Sequence, residues 1–144
     1  MFETIEVATR AQTELIEMTS QVQQLVSHSG VRQGMCYLYV PHTTAALTIN
    51  ENADPSVVED ILMAINKLVP FQDNYDHTEG NSAAHIKASL FGNALSVFIE
   101  EQHLVLGTWQ GIYLCEFDGP RRRKVHVKIV SDEANPIRTA RRIE

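Results

Sequence analysis

Between His42 and Asp54 the chain reads His42-Thr-Thr-Ala-Ala-Leu-Thr-Ile-Asn-Glu51-Asn-Ala-Asp54. A strand needs none of those polar groups, whereas a site that grips a metal or an anion uses most of them. Neutral imidazole is a common metal ligand and a proton carrier near neutral pH. His77 and His85 are two further histidines near loop and helix ends. Three imidazoles and a water make the donor set of a catalytic zinc-type centre. His42, His77 and His85 are therefore the candidate ligands of a divalent metal. The spacing of His77 and His85 differs from that of the metalloprotease His-Glu-x-x-His pair, and no such motif occurs. Asp54 is explained as a helix cap, but Glu51 is not. Its carboxylate can orient a metal-bound histidine or act as a general base. His42, Glu51 and His85 are the candidate catalytic groups.

Other residues suit a substrate. Thr43 and Thr44 carry hydroxyls fit for an anion, although threonine also simply favours strands. Asn81 and Ser89 are helical neighbours of His85 and give that helix a polar face. Trp109 follows Gly107-Thr108 and is either core or a platform for a planar ring. The run Arg121-Arg122-Arg123-Lys124 offers fork-shaped donors to phosphate oxygens, with Arg121 and Arg122 the candidates. A solvated strand start explains the run equally well. His28, His103 and His126 belong to no polar cluster and are read as structural.

These groups must be positioned by a chain of 144 residues, the length of one domain, here taken as 1–144. Apolar residues at 44% and charged residues at 21% are globular values. No apolar run is long enough to span a membrane, and the N-terminus lacks the pattern of a secretory signal. Cys36 and Cys115 sit in strand-like runs without Cys-x-x-Cys spacing, so they read as core thiols of a cytoplasmic protein. The net charge of −6 hides an asymmetry: residues 121–144 carry eight of the twelve basic side chains. The acidic remainder argues against dedicated nucleic-acid binding.

Strands are expected at Phe2–Ala8, Glu14–Met18, Met35–Val40, Ala46–Asn50, Leu95–Glu100, His103–Leu106, Gln110–Phe117 and Val125–Val130. A helix capped by Thr19-Ser20 runs to about Ser27, with Gly30 just beyond it. Asp54-Pro55 starts a second helix with Val58, Ile61, Leu62, Ile65 and Leu68 as its apolar stripe. Asn81 caps a third helix through Phe91, whose apolar face holds Ile86 and Leu90. Residues 131–144 form a polar, basic tail. The order of elements is that of an α+β fold with helices laid on a mostly antiparallel β-sandwich.

Five blocks carry a resemblance. Pro41-His-Thr-Thr-Ala-Ala-Leu-Thr-Ile-Asn-Glu51, Asp54-Pro55, Glu79-Gly-Asn-x-x-Ala84-His-Ile-Lys-Ala-Ser89, Leu106-Gly-Thr-Trp-Gln-Gly-Ile112 and Glu116-Phe-Asp-Gly-Pro-Arg-Arg122 resemble the secondary thiamine-phosphate synthase family, also called YjbQ-like. The resemblance runs from about residue 2 to residue 130. It implies a compact α+β sandwich, a homotrimer with sites near the subunit boundaries, and a weak thiamine-phosphate-synthase-like activity. In that reaction a thiazole-phosphate nitrogen attacks the methylene carbon of a pyrimidine diphosphate and pyrophosphate leaves. Dedicated enzymes of that name are TIM barrels, of roughly 250 residues, so an unrelated scaffold would carry the activity here. A departing pyrophosphate suits magnesium, whereas the histidine trio suits zinc. The alternatives are a non-enzymatic metal- or anion-binding protein and a metal-dependent phosphate-ester hydrolase. The expected partners are a small phosphorylated molecule and further copies of the chain, with no nucleic acid and no membrane.

Overall fold

The structure is a computed structural model that describes residues 1–133. Eleven elements follow in chain order: β1 (Phe2–Ala8), β2 (Glu14–Glu17), α1 (Thr19–Ser29), β3 (Gly34–Tyr39), β4 (Ala45–Glu51), α2 (Pro55–Leu68), α3 (Ser82–Phe91), β5 (Ala94–Glu100), β6 (His103–Leu104), β7 (Gln110–Glu116) and β8 (Arg122–Ser131). The expected α+β class is what forms. One sheet has the order β1-β8-β3-β5-β6 and the other β2-β7-β4, and every pairing is antiparallel. The tail expected from residue 131 starts inside β8, and residues 134–144 lie outside the described part.

Period-two patterning builds the main core. Cys36 and Leu38 from β3, Val97 and Ile99 from β5, and Val125, Val127 and Ile129 from β8 turn one face of the large sheet inward. They meet Ala45, Leu47, Ile112 and Leu114 of the small sheet, with Met18, Val22 and Val26 closing one side. The small sheet is covered on its other face too. Ala46, Cys115 and Phe117 pack there against Ile65 of α2, Val69 just beyond it, and Ala83, Ala84 and Ala88 of α3. Burial on both faces is why Gly111–Phe117 reads as an unbroken buried run instead of alternating.

The helices hold two departures from the expected stripes. Of the α2 stripe only Ile65 is buried, and Leu68 is 73% exposed. In α3 the expected apolar pair faces outward, Ile86 at 40% and Leu90 at 61% exposure. The face turned to the sheet is made of alanines and Lys87 instead. Small residues let the helix lie close to the sheet, which is stronger packing than two large side chains standing off it. Lys87 is fully buried. Its ammonium donates to Asn66 Oδ1 at 2.6 Å and sits 4.1 Å from the Phe71 ring centroid. It thereby ties α3 to α2 and to the start of the loop that carries His77. Burial lowers its pKa.

Candidate functional site

The segment Pro41–Thr44 links β3 to β4, and α3 packs beside β4. A cleft of about 520 Å³ opens between them, lined by His42, Thr43, Ala45, His85, Ala88, Ser89, Gly92 and Asn93. That volume is typical of a small-molecule site. A second hollow of about 360 Å³ shares His42, Thr43 and His85 with it and adds Thr44, Glu79, Asn81, Asp118, Arg121 and Arg123. Two of the three expected histidines are therefore brought to one place.

His42 is half-buried, and its Nε2 accepts the backbone N–H of Lys124 at 2.9 Å. A ring nitrogen that accepts is unprotonated, so the neutral ring carries its proton on Nδ1. Burial and the charge of Arg123 lower the pKa of His42, opposed by Glu116 and reinforced by Lys124 and His126. His42 thus offers a neutral N–H donor. His77 lies on the exposed loop before α3, with Nε2 3.7 Å from Glu79 Oε2. Its ring meets that of His85 edge-on at 5.6 Å between centroids, and the two line a separate shallow hollow.

The donor set does not fit a metal within one chain. The Nε2 of His42 is already engaged by the backbone, and His42 and His77 line different hollows. Among the described residues no three His, Cys, Asp or Glu side chains gather closely enough to hold an ion.

Glu51 and Trp109 lie elsewhere. In the β4–β7 ladder Ala45 pairs with Glu116, while Glu51 pairs with Gln110. Six residues of strand separate the two ends, about 20 Å. Glu51 is therefore at the far end of β4 from His42. Trp109, 63% exposed, stands beside that far end, its carbonyl accepting the N–H of Asn52. Asp54 does what the sequence suggested, since its Oδ1 accepts Ser56 N at 2.9 Å and caps α2.

The basic run divides by strand alternation. Arg122 is exposed and lines neither hollow, whereas Arg123 is buried. The Arg123 guanidinium donates through Nε to Glu116 Oε1 at 2.9 Å and through Nη2 to Glu116 Oε2 and to Thr44 Oγ1. The Thr44 hydroxyl accepts there and keeps its own O–H to donate at the edge of the smaller hollow. Thr9 donates to Glu116 Oε1 at 2.7 Å, and Asp118 N donates to Oε2 at 3.0 Å. Burial pushes the Glu116 pKa up, but the hydrogen bonds from Arg123, Asp118 and Thr9 and the Arg123 charge outweigh it, so the value falls. Arg121 reaches the smaller hollow and pairs with Asp118 at 3.1 Å.

Asn81 begins α3 without capping it. Its Nδ2 donates to Asp118 Oδ2 at 2.9 Å instead. Thr9 was not among the residues singled out from the sequence; Glu116 and Asp118 stood there only in a block of the resemblance, and Arg123 only as a member of the basic run. The available signal was a pair of opposite charges, Glu116 and Arg123, either side of an Asp-Gly-Pro turn, which leads from β7 in one sheet to β8 in the other and brings them together.

Known proteins share this architecture. Residues 3–132 match the model of the family described as UPF0047 protein YjbQ-like. The UPF0047 protein MJ1081 of Methanocaldococcus jannaschii is 48% identical over 89% of this chain and 93% of its own. YugU of Bacillus subtilis, also a UPF0047 protein, is 44% identical over 90% of this chain and 99% of its own. A crystal structure of an uncharacterized protein of the same family from Clostridium acetobutylicum superposes with a TM-score of 0.87 at 52% identity, covering 89% of this chain and 99% of that one. A Sulfolobus solfataricus protein of unknown function gives 0.88 at 38% identity, covering 92% and 97%.

Proposed function

The chain belongs to the UPF0047 YjbQ-like family, and we propose that its His42–His85 cleft binds a small phosphorylated molecule and serves a transfer of the thiamine-phosphate-synthase type. The observation that carries this reading is the state of His42. Locked neutral by the Lys124 N–H, it holds an Nδ1–H donor at a cleft that also contains His85, Thr43 and Ser89. Arg121 spends two of its five N–H groups on Asp118, leaving others for a phosphate oxygen. In such a transfer the chain's part is to orient two substrates and to stabilise a departing pyrophosphate with N–H donors. In this reading His85, in the first half of α3 and at the lining of the cleft, exchanges a proton with the reacting groups.

Incubation with the pyrimidine diphosphate and the thiazole phosphate, with product followed by chromatography, tests the reaction. His85→Ala should reduce turnover at least a hundredfold with the fold intact, and unchanged turnover would remove His85 from the mechanism. Binding of both substrates without product would leave an anion-binding protein. Phosphate release from simple esters would instead indicate a hydrolase. Elemental analysis of the purified protein checks the metal expectation independently.

A homotrimer is part of the same proposal. The outer face of the large sheet leaves Phe2, Tyr37, Tyr39, Phe98 and Val130 more than 40% exposed, an apolar surface of the kind that subunits cover. Light scattering coupled to gel filtration measures the mass, and a monomer at micromolar concentration would refute the assembly. No helix among the described residues is long and apolar enough to cross a membrane.

A further inference from the structure

His77 has no place in a metal site, but it does belong to a cavity. With Tyr75, Asp76, Ser82, His85 and Ile86 it lines a hollow of about 390 Å³, within the range of small-molecule sites. Ser82, His85 and Ile86 stand at i, i+3 and i+4 of α3 and share one face. The other wall comes from the loop before that helix.

These walls suit a ring. The His77 and His85 imidazoles meet edge-on, with centroids 5.6 Å apart and planes at 89°. An edge-on pair leaves a ring face uncovered, on which a third ring can stack. The Tyr75 hydroxyl already donates to the Pro70 carbonyl, so its proton is spent inside the loop. Ile86 is one of two large apolar side chains that α3 turns outward, and a ring laid over it would take it out of water. Trp109, the ring platform expected from the sequence, stands at the far end of β4.

The charges say which part of a ligand goes where. No lysine or arginine lines this hollow, whereas Asp76 does, and Glu79 lies 3.7 Å from His77 Nε2. A phosphate there would meet carboxylates without a counter-charge. Arg121 belongs to the smaller hollow next door. The two adjoin, since His85 lines both and Ser82 of one follows Asn81 of the other. One molecule can place its anion on one side of His85 and its ring on the other.

We propose that the hollow of Tyr75, His77 and Ile86 is a ring subsite of the cleft, taking a planar ring without negative charge that a short link joins to the phosphate beside Arg121. The ligand class is thus a phosphate ester of an aromatic or heteroaromatic alcohol. The inference rests on the proposed reading of the cleft as a phosphate site. It adds where the rest of the molecule lies.

Four probes separate the two claims: ethyl phosphate, 2-phenylethyl phosphate, its 4-carboxy derivative and 2-phenylethanol. Their binding to wild type and to Ile86→Ser, a change at an exposed position, is followed by chemical-shift titration. The phenyl ester should bind wild type about tenfold tighter than ethyl phosphate, and Ile86→Ser should bring the two level. Ring-current shifts should appear at the Ile86 methyl groups with the phenyl ester and not with ethyl phosphate, a readout that needs no variant. The added carboxylate should cancel the gain, and a carboxylated probe that binds as well as its parent would refute the charge selection. Equal binding of the ethyl and phenyl esters, with the Ile86 signals unmoved, overturns the ring subsite and leaves the phosphate site standing. Phenylethanol that moves the Ile86 signals as strongly as its phosphate ester, with ethyl phosphate silent, supports the subsite and overturns the phosphate reading. Silence of all four probes overturns both.

Discussion

Removing the Arg123 guanidinium is the sharpest test of how the site is held. Glu116 is 0% exposed and Arg123 4% exposed, so Arg123→Met leaves a carboxylate in the interior with only Thr9 and the Asp118 N–H against it. Breaking a buried pair from one side costs about 3–5 kcal/mol. The entropy of unfolding at 144 residues is about 0.3 kcal/mol per degree, so the midpoint should drop by about 10–17 °C. Replacing both partners, as in Glu116→Leu with Arg123→Met, removes the stranded charge together with its mate. The double variant should recover most of the loss, because apolar substitutes for a buried pair are often neutral or better. Thermal unfolding followed by circular dichroism, with urea titration as a second probe, gives all four corners of the cycle. A drop for Arg123→Met below about 3 °C, or a double variant as unstable as the sum of the singles, would refute the view that Glu116 depends on Arg123.

Three further outcomes follow from the same packing. The folded pKa of Glu116 lies below its ordinary value of 4.5, so its contribution is complete above pH 4.5 and is lost as pH falls through the lower folded value; Glu116→Gln should lack that part of the acid dependence in urea unfolding at stepped pH. The depressed pKa of Lys87 means that the unfolded chain binds more protons below 10.5, so wild-type stability should gain on Lys87→Met as pH climbs toward 10.5, and parallel curves would remove Lys87 as their source. Gly34→Ala would place a Cβ 1.9 Å from the Val130 carbonyl and should cost about 3 kcal/mol by prising β3 from β8, measured by urea unfolding.

The elements were legible because each had a local signature. Alternation marked β3, and Asp54-Pro55 marked the start of α2, whose cap bonds Ser56 as expected. Of the residues lining the two hollows, His42, Thr43, Thr44, Asn81, His85 and Arg121 were legible. Glu51 sits nine residues from His42 in sequence and looked adjacent, but an extended strand carries it to the far end of the ladder. Arg122 was misplaced for a related reason: which member of a polar run faces inward depends on register, and register put Arg123 inside, against Thr44, and Arg122 outside. Asn81 had the chemistry of a cap and serves Asp118 instead, because the turn at 118–120 approaches it from 37 residues away. The exposed side of α3 was misread because alanines, not large residues, mark the packed side of a close-lying helix.

The position of β8 has a bearing on how the protein is made. It is the last strand among the described residues, yet it lies between β1 and β3 inside the large sheet. While Arg122–Ser131 is still inside the ribosome, β1 has no neighbour, the floor of the core lacks Val125, Val127 and Ile129, and the Glu116 carboxylate has no counter-charge. The nascent chain therefore cannot bank its structure strand by strand. It must wait for β8 to slot between two earlier strands, a long-range step that is slow and leaves hydrophobic edges open in the meantime. Sheet, counter-charge and the cleft beside His42 then arrive in one event.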